Sequence, residues 1–230
     1  MSHGIIGATG QLMVLPIRQP RTATPARELS LREFFALGVS QSGVSLEVAR
    51  FRQHNLRHLW RGVKRVLVAR CLHLPHFYGQ LSAVRIHPNG QWEDYGLLSL
   101  RVVTTAGVNF LVDALQGSVE PEILKYHGIG TGTNAEASGD TALQTELTTQ
   151  YNPNDTRATG SLTEGASANI FRTVGTNTVD ASVAITEHGI FSQAATGGGT
   201  LLDRSVFSAI NLASGDSLQT TYDLTLSAGS

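Results

Sequence analysis

The chain has 230 residues, of which 41% are hydrophobic and only 15% charged, with a net charge of −1 and a single cysteine, Cys71. These figures exclude a uniformly basic nucleic-acid binder, an intrachain disulfide and a Cys-rich zinc module, while the abundant Gly, Ser and Thr favour strands and turns over long solvated helices. No run approaches the roughly 18 apolar residues of a membrane span, and the N-terminal MSHGIIGATGQLMVLP has no cationic start of the kind a secretory signal carries.

The charge is segregated along the chain. Residues 1–101 hold thirteen Arg or Lys against five Asp or Glu, a balance of +8, whereas residues 102–230 hold four against thirteen, a balance of −9. Fifteen of the seventeen cations are arginine, which stays charged and grips carboxylate or phosphate in bidentate fashion.

Residues 1–29 carry Pro16, Pro20 and Pro25 with no apolar period, which predicts an extended arm. Ser30-Leu31-Arg32-Glu33 fits a capping box for a short helix that Gly38 can close. A second helix is expected from Ser45 to about Arg61. On it Arg50, His54, Arg57, Arg61 and Lys64 recur at steps of four and three, so they stack on one face, with Arg65 adjoining. Leu56, Trp60 and Val63 form the adjoining apolar face. Val66 to Leu74 reads as a strand. Ser82–His87 and Gln91–Leu100 flank Asn89-Gly90 as a β-hairpin. Thr104 or Thr105 can cap a helix over about 106–116, with Val108, Leu111, Val112 and Leu115 apolar and Gly117 as its stop.

Beyond this the chain breaks into short β-type runs over 123–130, 156–162, 168–174, 182–191, 200–212 and 217–227. In the last, Leu218, Thr220, Tyr222, Leu224 and Leu226 alternate with Gln219, Thr221, Asp223 and Thr225, which predicts one buried and one wet face. The expected fold is mainly β: an antiparallel β-sandwich or jelly-roll-like C-terminal domain with a basic N-terminal arm containing short helices and a hairpin. The partition is 1–29 extended arm, 30–94 basic α+β anchoring segment and 95–230 acidic β-domain.

Motifs that could carry chemistry are weak. Gly215-Asp216-Ser217-Leu218 spells the four letters of GDSL esterases, yet no Asp-x-x-His accompanies it, so a turn into the last strand is the better reading. Gly128-Ile-Gly130-Thr-Gly132 lacks dinucleotide or P-loop spacing and reads as tight chain packing. His54 with His58, and Cys71 with His73 and His76, are incomplete as metal sites. Glu187 and His188 are strand neighbours and point to opposite faces. Neither a catalytic group nor a cofactor is expected. The basic stripe of Arg50, His54, Arg57, Arg61, Lys64 and Arg65 is the most informative feature. It suits docking onto an acidic protein surface, nucleic-acid phosphates, or simple solvation. The acidic remainder of the chain argues against nucleic acid.

From about Tyr95 onward the sequence resembles structural proteins of tailed-bacteriophage virions. The resemblance is carried by Val102-Val-Thr-Thr-Ala-Gly-Val-Asn-Phe-Leu-Val-Asp-Ala-Leu115, Tyr126-His-Gly-Ile-Gly-Thr-Gly-Thr133, Asp140-Thr-Ala-Leu143, Glu187-His-Gly-Ile-Phe191, Leu201-Leu-Asp-Arg-Ser-Val-Phe207 and Asn211-Leu-Ala-Ser-Gly-Asp-Ser-Leu218. It implies a non-enzymatic role as a capsid decoration (cement) protein or as a head-fibre, tail-fibre or adaptor component. The expected partners are then the major capsid protein and further copies of the chain in a homotrimer, on a particle assembled in the bacterial cytoplasm.

Overall fold

The computed structural model describes residues 45–71, 76–101 and 103–227, together with two short strands, β1 (Ile5–Ile6) and β2 (Leu12–Met13), which pair antiparallel. The rest of the expected arm and the capping-box helix at Ser30 lie outside the described residues.

Helix α1 spans Leu46–Cys71. Ser45 starts it as expected: its hydroxyl accepts from Val48 N at 3.3 Å and its carbonyl from Ala49 N at 3.0 Å. Over Val66–Cys71, the described part of the strand expected at Val66–Leu74, the chain is helical instead, because the helix runs on to Cys71. The reason is tertiary. Leu59 and Val63 pack with Tyr78 and Leu100, and Leu67 joins them one turn later, so helical spacing buries this apolar run where β-propensity alone suggests a strand. The buried seam is Val48, Phe51, Asn55, His58, Leu59 and Val63. Of the expected apolar face only Val63 is buried, while Leu56 and Trp60 remain 38% and 44% exposed.

The hairpin forms from β3 (His76–Ile86) and β4 (Trp92–Arg101), with Gly90 at φ +81° in its turn. The line drawn between residues 94 and 95 falls inside β4. Helix α2 (Thr105–Leu115) follows, capped by Thr104, whose Oγ1 accepts from Gly107 N at 2.9 Å; Gly117 ends it at φ +72°. A 3₁₀ turn covers Pro121–Ile123. The remaining strands are β5 (Tyr126–Gly130), β6 (Tyr151–Asn152), β7 (Ala158–Thr159), β8 (Ser161–Glu164), β9 (Ile170–Val179), β10 (Val183–Phe191), β11 (Leu201–Leu212) and β12 (Ser217–Ser227).

The described residues are mainly β, with two large antiparallel sheets beside the β1-β2 pair, and two helices. One sheet has the order β4-β3-β12-β9-β6, with β8 also pairing β9; the other has the order β11-β10-β5-β7. Leu81, Tyr95, Val179 and Leu218 from the first meet Ile129, Ile185, Phe207 and Ile210 from the second in one core. β12 is central, paired with β3 on one side and β9 on the other. Its expected wet face is largely covered: Thr221, Asp223 and Thr225 are at most 4% exposed. Both flanking strands shield them, and Arg172 of β9 lies across Asp223 with bonds of 2.6 and 2.8 Å.

The helices close the edge of the second sheet. Asn55 of α1 donates to Leu98 O on β4 at 2.8 Å and accepts from Ser208 N on β11 at 3.0 Å, so one carboxamide joins the two sheets. Gly62 lets the helix lie against β4, since a Cβ there would sit 1.8 Å from Leu100 O. At the other end of β11, Thr104 bonds Leu202 O through its amide and Leu201 O through its hydroxyl. Edge strands that present free backbone groups invite foreign pairing, and helices are one remedy.

Candidate interaction surface

The sequence singles out a basic stripe, and the structure puts its described members on the outer side of α1. Arg50, His54, Arg57 and Arg61 are all exposed, opposite the seam that packs on β4 and β11. Lys64 and Arg65 follow on the next turn of the same helix. His54 Nδ1 sits 2.8 Å from Arg50 O, which orders the ring along the helix. Arg57 Nε donates to His58 Nε2 at 3.3 Å. Burial, then the charges of Arg57, Arg101 and Arg61, lower the His58 pKa to about 4, so this ring is neutral at pH 7 and can accept that proton.

What distinguishes the stripe is what the other arginines do. Arg85 reaches Asp216 at 2.8 Å, Arg101 reaches Glu136 at 2.6 Å, Arg157 grips Glu146, Arg172 grips Asp223, and Arg204 reaches Glu187 at 2.8 Å and Asp140 at 3.0 Å. Arg52 donates to Asp94 O at 2.8 Å. Among the described residues, Arg50, Arg57 and Arg61 pair with no carboxylate. The separation of charge along the sequence is thus partly cancelled on folding, because Arg85 and Arg101 from the basic half neutralise Asp216 and Glu136 from the acidic half. Among the described residues, the arginine charge left without a carboxylate partner is concentrated on α1.

Helix α2 presents a second unexpected surface. Its buried residues are Gly107 and Phe110, with Leu111 partly buried against the core. Val108, Val112 and Leu115, expected to face inward, are 37%, 47% and 89% exposed. The cause is Gly107: a Cβ there would meet Leu202 O at 2.6 Å, so the helix rolls its glycine side, not its valine side, onto β11.

Several buried polar clusters escaped sequence reading. Glu187, fully buried, accepts from the backbone amides of Gly132, Gln144 and Thr145 at 3.0, 3.0 and 2.7 Å, and from Arg204 Nε at 2.9 Å. One carboxylate therefore pins both ends of the 131–145 loop. Arg157 does the same for the 193–198 loop through Gln193 O and Gly198 O, with its guanidinium 3.5 Å over the Phe191 ring. His188 turns the other way from Glu187, as the strand alternation demands. Its Nε2 lies 3.0 Å from His127 Nδ1 and 3.3 Å from Thr220 Oγ1, deep between the sheets. Burial lowers His127 to about 3 and His188 well below its usual value, so both rings are neutral core members. A third cluster runs Ser99 to Ser205 to Asp203 through bonds of 2.8 and 3.2 Å. Burial raises Asp203 to about 7 despite Arg101 nearby. A lone Glu, His or Asp inside an otherwise apolar strand run is the signal that could have flagged all three.

The weak motifs resolve structurally. Gly128, Gly130 and Gly132 have neighbours that would crowd a Cβ, at 2.9, 2.4 and 2.5 Å. Gly215 turns at φ +87° into β12, and Asp216 holds that turn by accepting from Ala213 N and Arg85, with His87 Nδ1 3.0 Å away. Ser217 Oγ is 2.7 Å from Thr178 Oγ1. His54 and His58 do not converge, one being exposed and one buried. Cys71 is exposed at the end of α1, and His73 lies outside the described residues. Among the described residues there is no cluster of three metal-ligating side chains, and no helix long and apolar enough to cross a membrane. Compared with models of known protein families the chain matches none, and a search of curated proteins finds no relative.

Proposed function

We propose that this chain is a structural protein of a tailed-bacteriophage virion, most specifically a capsid decoration (cement) protein that works by binding and not by turnover. In this reading the two sheets form a jelly-roll-like sandwich, and α1 is the anchor that grips carboxylates on the major capsid lattice. The observation that carries it is the set of exposed Arg50, Arg57 and Arg61, none ion-paired with a carboxylate, on a helix clamped at Asn55 and Gly62, while the other described arginines bond carboxylates or a backbone carbonyl within the fold. A charged-group contact is worth about 1.5–3 kcal/mol when well made, and repetition around a symmetric shell multiplies weak contacts through avidity. The sequence resemblance over residues 95–230 supplies the class of particle.

The test is co-sedimentation of the purified chain with undecorated capsids across a salt series. Tight binding that weakens with salt, and at least a tenfold loss for Arg57→Glu with Arg61→Glu, is expected. Unchanged capsid affinity in that double variant refutes the anchor. Immunogold label on the tail instead of the shell would move the chain to an adaptor or fibre component.

A further inference from the structure

We propose that α2 of one copy seats in the cleft beside α1 of a second copy, so that the chain assembles head to tail. This rests on the assembly reading above but uses a different pair of surfaces. The projecting element is Leu115, 89% exposed at the last turn of α2, backed by Val112 and Val108 at helical spacing on the same face. The receiving element is a shallow cleft between α1 and β4, lined by Arg52, Leu56, Leu59, Gly96 and Leu97.

Charge matches the fit. Asp113, Glu120 and Glu122 are exposed on α2 and the 3₁₀ turn that follows, and no basic residue occupies the last turn of α2. That end also carries the negative pole of the helix dipole. The cleft is bordered by Arg52, whose guanidinium is held at this rim by its bond to Asp94 O. An apolar contact flanked by opposite charges, here Arg52 on one side and the α2 carboxylates on the other, is how protein interfaces combine affinity with register.

The two surfaces cannot meet within one molecule. α2 is anchored at Leu201 and Leu202, α1 at Ser208, on the same strand. Six residues of strand separate them by about 20 Å. The contact is therefore between copies and heterologous, which closes into a ring or continues as an open chain. Arg50, His54, Arg57 and Arg61 lie farther round α1, outside the cleft lining, and remain outward for the shell.

Light scattering after size exclusion of the full chain tests this. The wild type should associate, with association weakening as salt rises. Leu115→Glu, at a site too exposed to matter for folding, should weaken association by roughly tenfold to a hundredfold, the cost of losing one buried leucine. Leu56→Lys should do the same from the other side, and Leu115→Glu combined with Leu56→Lys should recover association. A monomeric wild type at 100 μM, an oligomer indifferent to Leu115→Glu, or no recovery in the combination would overturn the contact. Capsid binding by Leu115→Glu reports separately on the anchor: retention with loss of self-association leaves the shell reading intact, and loss of capsid binding by Arg57→Glu with Arg61→Glu while self-association persists isolates the shell contact.

Discussion

Replacing Asp203 by Asn should remove a defined part of the pH dependence of stability. Asp203 is 1% exposed, takes a hydrogen bond from Ser205 at 3.2 Å, and packs with Tyr222 so closely over Gly79 that a Cβ there would meet Asp203 Oδ2 at 2.7 Å. The charged and titratable groups around it are Arg101 and Glu136 with Tyr222, and burial outweighs the arginine to lift its pKa from 3.8 to about 7. The folded state thus holds a proton that the unfolded state releases above pH 4. Because the native form binds more protons, unfolding free energy falls as pH rises through this window. A change of that size corresponds to about 4 kcal/mol accumulated between pH 4 and pH 7, after which the loss is complete. Asn cannot ionise and keeps the acceptor for Ser205. In urea denaturation at pH 4.5, 6, 7 and 8, Asp203→Asn minus wild type should grow in favour of the variant by several kcal/mol and then level off. His127 and His188 contribute an opposite slope, losing stability as pH falls below 6.5, but they titrate in both proteins and cancel in the difference. A difference that stays constant within about 1 kcal/mol across the series would refute the account of Asp203 as a neutral buried acid.

Glu187→Gln should cost about 1.5–3 kcal/mol, because it leaves buried Arg204 with Asp140 as its remaining carboxylate and takes one acceptor oxygen from the amides of the 131–145 loop; denaturation gives the loss and amide exchange at Gly132 and Thr145 should show the loop opening. Gly62→Ala should destabilise by about 1–3 kcal/mol by overpacking where helix propensity alone favours alanine by about 1 kcal/mol; a raised melting temperature would mean that α1 does not lie against Leu100 as described. Ser217→Ala should leave any esterase reading at background, and a lost activity would make the chain an enzyme after all.

The parts legible in the sequence are those settled by local chemistry. Asn89-Gly90 announced its turn, Thr104 its cap, Gly117 its stop, and Ser217–Ser227 its strand, because each depends on neighbours a few residues away. The parts that were illegible depend on distant partners. Nothing in the run Val66-Leu-Val-Ala-Arg-Cys71 says that Tyr78 and Leu100 wait to receive a helix at Leu59, Val63 and Leu67. The valine side of α2 reads as its core face until Gly107 is seen against Leu202 O. Arg50, His54, Arg57 and Arg61 share an exposed face as their spacing predicts, but that Arg85 and Arg101 are ion-paired internally while Arg50, Arg57 and Arg61 meet no carboxylate depends on partners far along the chain.

The plugging of β11 by Asn55 and Thr104 has a bearing on life at high copy number. Wherever copies of this chain meet at high concentration, a bare strand margin would let them zip together through main-chain ladders without limit or register. With that margin occupied at Leu201, Leu202 and Ser208, contact between copies across it has to run through side chains there, which keeps it selective and reversible.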